Sequence, residues 1–397
     1  MEQPVSPTEA APIPPSVTPS IAAYPLELLG LLAPPARRRP VTLTPSIAIS
    51  EEYNDNVDLD NQNRHWDFIT NFSPAVTLFI NQPTYEINAG YSFTAALYAR
   101  EPARNTAFEN QNLLASGLYR LTSELTFTVS DWFVLGNYTN LVSAQGISTG
   151  RQKSWSNTFV PGATWQMTRL DSFAISGSYS VLRYEGQGAG IDSDTYGARG
   201  VLSHAFTPRF SGNIGYEFTY LDDKSGQPNS TTHTPRFGGS YQLTRTLIAS
   251  INGGPAITQI GRDTFVTPVG AASLGQTLPF GSASIQYTRA VGVAGGLGGT
   301  NNTQIASATL IVSNWLQGLL VALSPSYTFS DQIGSSQPGQ GDIKAFSLGL
   351  SALYQLAPFV NLFGGYSFFH QHGSSVPDAD QNRVRFGLQF GYPINFD

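Results

Sequence analysis

The chain of 397 residues contains no cysteine. That absence excludes disulfide frameworks, thiolate metal sites, cysteine nucleophiles and thiol-attached haem. Charge is scarce as well: Asp, Glu, Lys and Arg together make up 12% of the residues, about half the usual share of a soluble protein, which argues against a conventional cytosolic enzyme. No stretch approaches the roughly 20 apolar residues that a membrane-crossing helix needs. The opening Met1-Glu2-Gln3-Pro4 is not a basic-then-apolar leader either. With 21 basic and 27 acidic residues the formal charge is −6. The electrostatic footprint of a nucleic-acid binder is therefore missing, and no nucleic-acid partner is expected.

What the chain does have is aromatic residues, at 12%, and 39 glycines, set among Ser, Thr, Asn and Gln. The first forty residues hold ten of the 26 prolines. Proline so dense supports neither a helix interior nor a central strand, so residues 1–40 read as a proline-rich tether, largely disordered and separate from the rest of the chain. From Val41 onward the pattern has period two. In Tyr85-Glu86-Ile87-Asn88-Ala89-Gly90-Tyr91-Ser92-Phe93 the odd positions are apolar and the even ones small or polar. The same alternation recurs at 210–218, 346–352 and 385–392.

About eighteen such segments fit into residues 41–397, from 41–53 to 382–394, and each is long enough to cross a bilayer as a tilted strand. Their connections alternate in length. Short ones contain Asn81-Gln82-Pro83-Thr84, Thr168-Arg169-Leu170-Asp171, Thr207-Pro208-Arg209 and Ala357-Pro358. Long polar ones run over 54–65, 101–109, 143–153, 185–194, 222–232, 295–302, 330–342 and 371–382. Short turns on one rim and long loops on the other are the pattern of a transmembrane antiparallel up-and-down β-barrel, so an all-β outer-membrane barrel is the expected fold. An even strand count puts both chain ends on the short-turn, periplasmic rim. A soluble sandwich would carry more charge within its strands, and a propeller would repeat Gly/Trp motifs that are not seen here.

The opening strand and turn, Leu43-Thr44-Pro45-Ser46-Ile47-Ala48-Ile49-Ser50-Glu51-Glu52-Tyr53-Asn54-Asp55-Asn56-Val57, followed by Phe72-Ser73-Pro74-Ala75-Val76, resembles the outer-membrane β-barrel family associated with exopolysaccharide and exosortase gene clusters. The Tyr-x-Asp-Asn-(Ile/Val) turn is its most recognisable part, and word-level likeness is confined to the first hundred or so residues. The resemblance implies a porin-like channel for polymer export. The last strand is similar to the assembly signal of such barrels at Arg385, Gly387, Phe390 and Tyr392, although Asp397 follows the final aromatic, Phe396.

If the aromatic series faces outward, the other face carries the candidate pore lining: Glu52, Glu86, Asn88, Arg199, Asn213, Glu217, Arg236, Gln242, Arg385 and Gln389. Hydroxyls and amides dominate it, a wall that can exchange hydrogen bonds with a passing sugar polymer while holding it weakly. A water-filled porin lumen is polar for the plainer reason of hydration. Arg199, Arg236 and Arg385 could favour an anionic cargo, but Glu52, Glu86 and Glu217 share that face, which makes wall-holding ion pairs the simpler expectation. A loop such as 330–342, rich in Gly, Ser and Gln, can fold inward and narrow the pore.

Catalysis and metal binding find little support. Asp55, Asp58 and Asp60 lack the glycine and distal glutamate of a calcium loop. His65, His204, His233, His370 and His372 are too dispersed for zinc. Ser203 and His204 are adjacent on a strand and point to opposite faces. No catalytic residue, metal or cofactor is expected. The leading expectation is a conduit for exopolysaccharide working with a periplasmic export partner; a general small-solute porin and a scaffold for a multihaem cytochrome are the alternatives. Outer-membrane lipid, lipopolysaccharide and the barrel-assembly machinery are the other expected partners. Trp66, Trp132, Trp155, Trp165 and Trp315 are candidates for the interfacial girdles.

Overall fold

The computed structural model describes residues 40–186, 190–313, 315–334, 342–374, 376 and 378–396. The tether at 1–39 lies outside them, as does most of the loop at 330–342. The strands are β1 (Val41–Asn54), β2 (Asp67–Asn81), β3 (Tyr85–Tyr98), β4 (Thr106–Arg120), β5 (Leu125–Tyr138), β6 (Arg151–Gln166), β7 (Asp171–Tyr184), β8 (Ser193–Thr207), β9 (Phe210–Asp223), β10 (Ser230–Gln242), β11 (Leu247–Ile260), β12 (Asp263–Leu278), β13 (Gly281–Gly292), β14 (Asn301–Val312), β15 (Leu319–Gln332), β16 (Ile343–Ala357), β17 (Val360–Gly373), β18 (Ala379–Gly391) and a short β19 (Ile394–Phe396). Each strand up to β18 pairs antiparallel with its sequence neighbours, and β1 closes the ring by pairing with β18 from Ser46↔Gly391 to Asn54↔Arg383. Strand β19 continues β18 beyond Tyr392-Pro393 and pairs with the start of β1. The result is a closed barrel of eighteen staves.

Closure leaves no free sheet edge and satisfies the backbone within the ring, which is the condition for a sheet to sit in lipid. The outer face supplies the other condition. Phe237, Ile251, Val266 and Ile285 are each more than 60% exposed, and they belong to a belt of apolar side chains that runs around the wall. A soluble monomer does not present such a surface; this is a transmembrane β-barrel. Trp66, Trp155 and Trp165 share the outer face, whereas Trp315 sits in the turn between β14 and β15. Trp132 corrects the girdle expectation. It pairs with Leu114 and Thr158 on the inner face, because its even position in β5 alternates with the outward Phe127 and Val129.

The short turns are built locally. In the β4–β5, β6–β7, β8–β9 and β10–β11 connections a threonine hydroxyl (Thr122, Thr168, Thr207 or Thr244) accepts the backbone N–H groups two and three residues ahead at 3.0–3.3 Å. This side-chain turn needs no distant partner. On the opposite rim one connection is not long at all. Strands β11 and β12 are joined by Gly261-Arg262, with Gly261 at φ +61°, a two-residue hairpin turn with glycine at its first position.

Both described ends lie on the short-turn rim, where Val41 pairs with Phe396 and with Ile80. At the seam, Gly387 faces inward with the Phe363 ring across it. A Cβ on Gly387 would collide with the carbonyl oxygen of Ile49 and stand 2.5 Å from Ser50 Cβ and 2.8 Å from Phe363 Cζ. Overpacking of this kind costs about 1–3 kcal/mol. Gly387→Ala should therefore lower the urea midpoint of the folded barrel in detergent; an unchanged midpoint would mean that the seam yields freely.

Candidate functional site

The interior face is identified by the path of one loop. Residues 139–150, between β5 and β6, begin with a short helix α1 (Thr139–Val142) and touch strands far around the ring. Ser148 N–H donates to Gln371 Oε1 of β17 at 2.8 Å, and Gln371 Nε2 returns a bond to the Ser148 carbonyl at 2.8 Å. Thr328 of β15 donates to the Gln145 carbonyl at 2.9 Å. Asn54 of β1 donates to the Tyr138 hydroxyl at the loop's base at 3.1 Å. A segment rooted between β5 and β6 reaches β1, β15 and β17 together only by crossing the mouth of the barrel.

Apolar side chains anchor it there. Ile147 packs fully buried with Ala294, Ile343, Val376 and Leu297, which belong to or border three other loops. Leu141 lies against Leu59, Tyr138, Ala345, Phe369 and Ala379. The long-loop half of the lumen is therefore narrowed, and interior wall residues such as Ser154, Thr258 and Ser330 are almost wholly buried there. Towards the short-turn rim the interior is open to water, as at the exposed Ser250–Ser273 hydrogen bond of 2.7 Å. The space is a funnel whose narrow part lies at the long-loop side.

Two clusters of charge lie on the wall. On β8 to β11, Arg199 is paired in register with Glu217, the Arg236 guanidinium is 2.9 Å from the Glu217 carboxylate, and Arg236 donates to Asn252 Oδ1 at 3.2 Å. At the seam, Arg383 grips Glu52 with two bonds of 2.8 and 2.9 Å, and Arg385 donates to Ser50 Oγ at 2.8 Å and Ser73 Oγ at 3.4 Å. In a ring of eighteen staves the seam and the β9–β10 junction are nine staves apart, so the clusters face one another across the lumen. Arg199, Glu217, Arg236 and Arg385 each lie six residues below the long-loop end of their strands.

The remaining candidates also fall on this face. Glu86 pairs with Arg120 near the short turns, Asn88 and Asn213 follow the same alternation, Gln242 donates to the Arg245 carbonyl at 3.4 Å, and Gln389 stands opposite Ala48 and Asn361. Arg385 and Gly387 point inward, while Phe390 and Tyr392 belong to the outer face.

The Tyr-x-Asp-Asn-Val turn is a structural knot over the seam. Asp55 accepts the Asn382 backbone N–H and side-chain amide, each at 2.7 Å, Asn56 donates to the Asp380 carbonyl at 2.8 Å, and Val57 packs with Ile69, Ala96 and Tyr98. The loop's carboxylates are engaged separately. Asp58 pairs with both ends of the Arg104 guanidinium, and Asp60 accepts the Gln62 N–H at 2.8 Å. Burial by itself would raise the Asp58 carboxyl, but the bonds from Arg104 and His65 hold it below the ordinary carboxylate range.

The crossing of 139–150 is what the alternation could not show. A signal was present, since Leu141, Val142 and Ile147 are apolar residues inside a long loop. The loop at 330–342, where narrowing was expected, lies mostly outside the described residues.

No family model matches the chain, and no curated protein matches it. Among solved structures, Pseudomonas aeruginosa OpdQ aligns at 7% identity and a TM-score of 0.46, over 89% of this chain and 98% of that one. The outer membrane protein opdK of the same organism aligns at 7% identity and 0.44, over 89% and 99%. Acinetobacter baumannii OccAB4 aligns at 10% identity and 0.43, over 91% and 100%.

Proposed function

We propose that this chain is a non-catalytic outer-membrane channel for small hydrophilic solutes, with both ends in the periplasm. The observation that carries this reading is the crossing of residues 139–150 through a lumen walled by hydroxyls, amides and ion pairs. Eighteen staves would otherwise leave a wide aqueous channel; the crossing segment reduces it to a size that suits single solutes rather than a polymer. The two clusters together hold four arginines, Arg199, Arg236, Arg383 and Arg385, against two glutamates, Glu52 and Glu217. This excess supports a mild preference for anions.

Passage of exopolysaccharide is the second reading. The polar wall and the seam-closing turn favour it, but it requires the crossing segment to withdraw, and an export partner would supply that. A scaffold wrapping a multihaem cytochrome would need the space that residues 139–150 occupy. Lipid and lipopolysaccharide would cover the outer belt, and the assembly machinery would engage the last strand through Arg385, Gly387, Phe390 and Tyr392. The pore-lining role of Glu52, Glu86, Asn88, Asn213, Gln242 and Gln389 belongs to either transport reading.

Liposome swelling with neutral sugars of rising size is the direct test. Monosaccharides and disaccharides should enter and long oligosaccharides should not, and Arg236→Glu should slow anionic sugars more than neutral ones. Entry of long polymer at rates matching glucose would overturn the small-solute reading in favour of the conduit, and exclusion of every sugar would overturn both.

A further inference from the structure

On the outer face the charged side chains keep to the rims. Glu51, Arg183, Asp194, Arg289, Lys344 and Asp380 all lie within three residues of the end of their strand. Asp131 is the exception among the described residues. It is the seventh of fourteen residues in β5 and belongs to the outward series of Phe127, Val129 and Phe133, opposite Ala115 of β4 and Phe159 of β6. A carboxylate at mid-height on a lipid-facing wall is costly, and polar groups at that depth persist where they find partners.

Its neighbour is also polar. Asn157 of β6 lies on the same outer face and donates from Nδ2 to Asp131 Oδ1 at 3.1 Å, and weakly to the Trp132 carbonyl at 3.4 Å. One amide leaves most of a carboxylate's acceptor capacity unused. Lipid tails cannot fill it. Around the pair the wall is uneven: Ala115 on one side and Pro161 and Gly177 on the other are small, the rings of Phe159 and Tyr179 stand between, and the β6–β7 ladder is interrupted at Val160-Pro161.

We infer that this patch, centred on Asp131 and Asn157, is the contact surface for a second copy of the same chain within the membrane. Self-complementarity is what selects a copy over another partner. The patch holds a strong acceptor, the Asp131 carboxylate, beside the two N–H donors of the Asn157 amide. A two-fold axis through it lets each chain's donors meet the other's carboxylate, as an isologous contact requires. The low positions at Ala115, Pro161 and Gly177 leave room for the facing chain's Phe159 and Tyr179 rings, so the two walls can approach and the polar groups bridge the chains in lipid.

The absence of cysteine makes the test clean. In native outer membranes, Ala115→Cys should give an oxidative cross-link of dimer size, and Ile285→Cys, on the outer face of β13, should not. Adding D131L or N157L to the Ala115→Cys chain should cut the cross-linked fraction about tenfold. Leucine suits a lipid-facing position, so retention of the heat-sensitive folded gel mobility checks that each variant still forms a barrel. The inference is overturned if Ala115→Cys gives no dimer, if Ile285→Cys cross-links equally well, if the product contains a different protein, or if D131L leaves the dimer undiminished.

Discussion

Replacing residues 140–149 with two glycines should raise the single-channel conductance in planar bilayers by roughly an order of magnitude. The segment crosses the lumen, and it is held from several sides: by Gln371 on β17, by Thr328 on β15 and through its buried Ile147. Residues 140–149 take no part in the backbone ladder between strands, which ends at Tyr138↔Arg151, so the barrel should survive the excision. A gentler probe is Ile147→Asp, which places a carboxylate among Ala294, Ile343 and Val376. Burial of an unpaired charge is unfavourable enough to expel the loop from its seat. That variant should show frequent wide openings on a background of narrow ones. If both variants keep the native conductance, the narrow part of the pore lies elsewhere.

The second large effect is on stability. Glu52 is only 3% exposed and its charge is met by the two bonds from Arg383. Removing one member of a buried pair leaves the other charge unmatched, at a cost of about 3–5 kcal/mol. Arg383→Met should therefore produce a marked fall in the urea midpoint of the barrel in detergent. The double variant E52L/R383M, which removes both charges, should recover most of the loss. Equal losses in the single and double variants would show that packing at the seam, rather than the unpaired charge, sets the cost.

Much of the wall is legible in the sequence because the strand period is two and lipid rewards apolar residues on only one face. The expected segments 171–184 and 281–292 coincide with β7 and β13. The expected gap between 259 and 266 is too wide, because Gly261-Arg262 is flanked by polar residues that resemble loop yet continue the ladder as Gln259↔Thr264 and Ile260↔Asp263. Residue type alone misplaces Trp132, whose position in the alternation already puts it inside. For the site, alternation sorts which side chains face inward but not which of them meet. Glu52 and Arg383 are 331 residues apart, and nothing local in either segment encodes their encounter. The course of residues 139–150 is hidden for the same reason, since it is fixed by contacts with loops and strands from the far side of the ring.

The threonine turns bear on how such a wall comes into being. Each of those four hairpins carries the instructions for its own reversal within a few residues, so neighbouring strands can find their register early, on the microsecond scale of isolated hairpins. Joining β1 to β18 is a different kind of event, because the loop to be closed is nearly the whole chain. The rate of maturation should thus be governed by that last zipping step. The knot of Asp55, Asn56 and Asn382 straddles that join and acts as its latch.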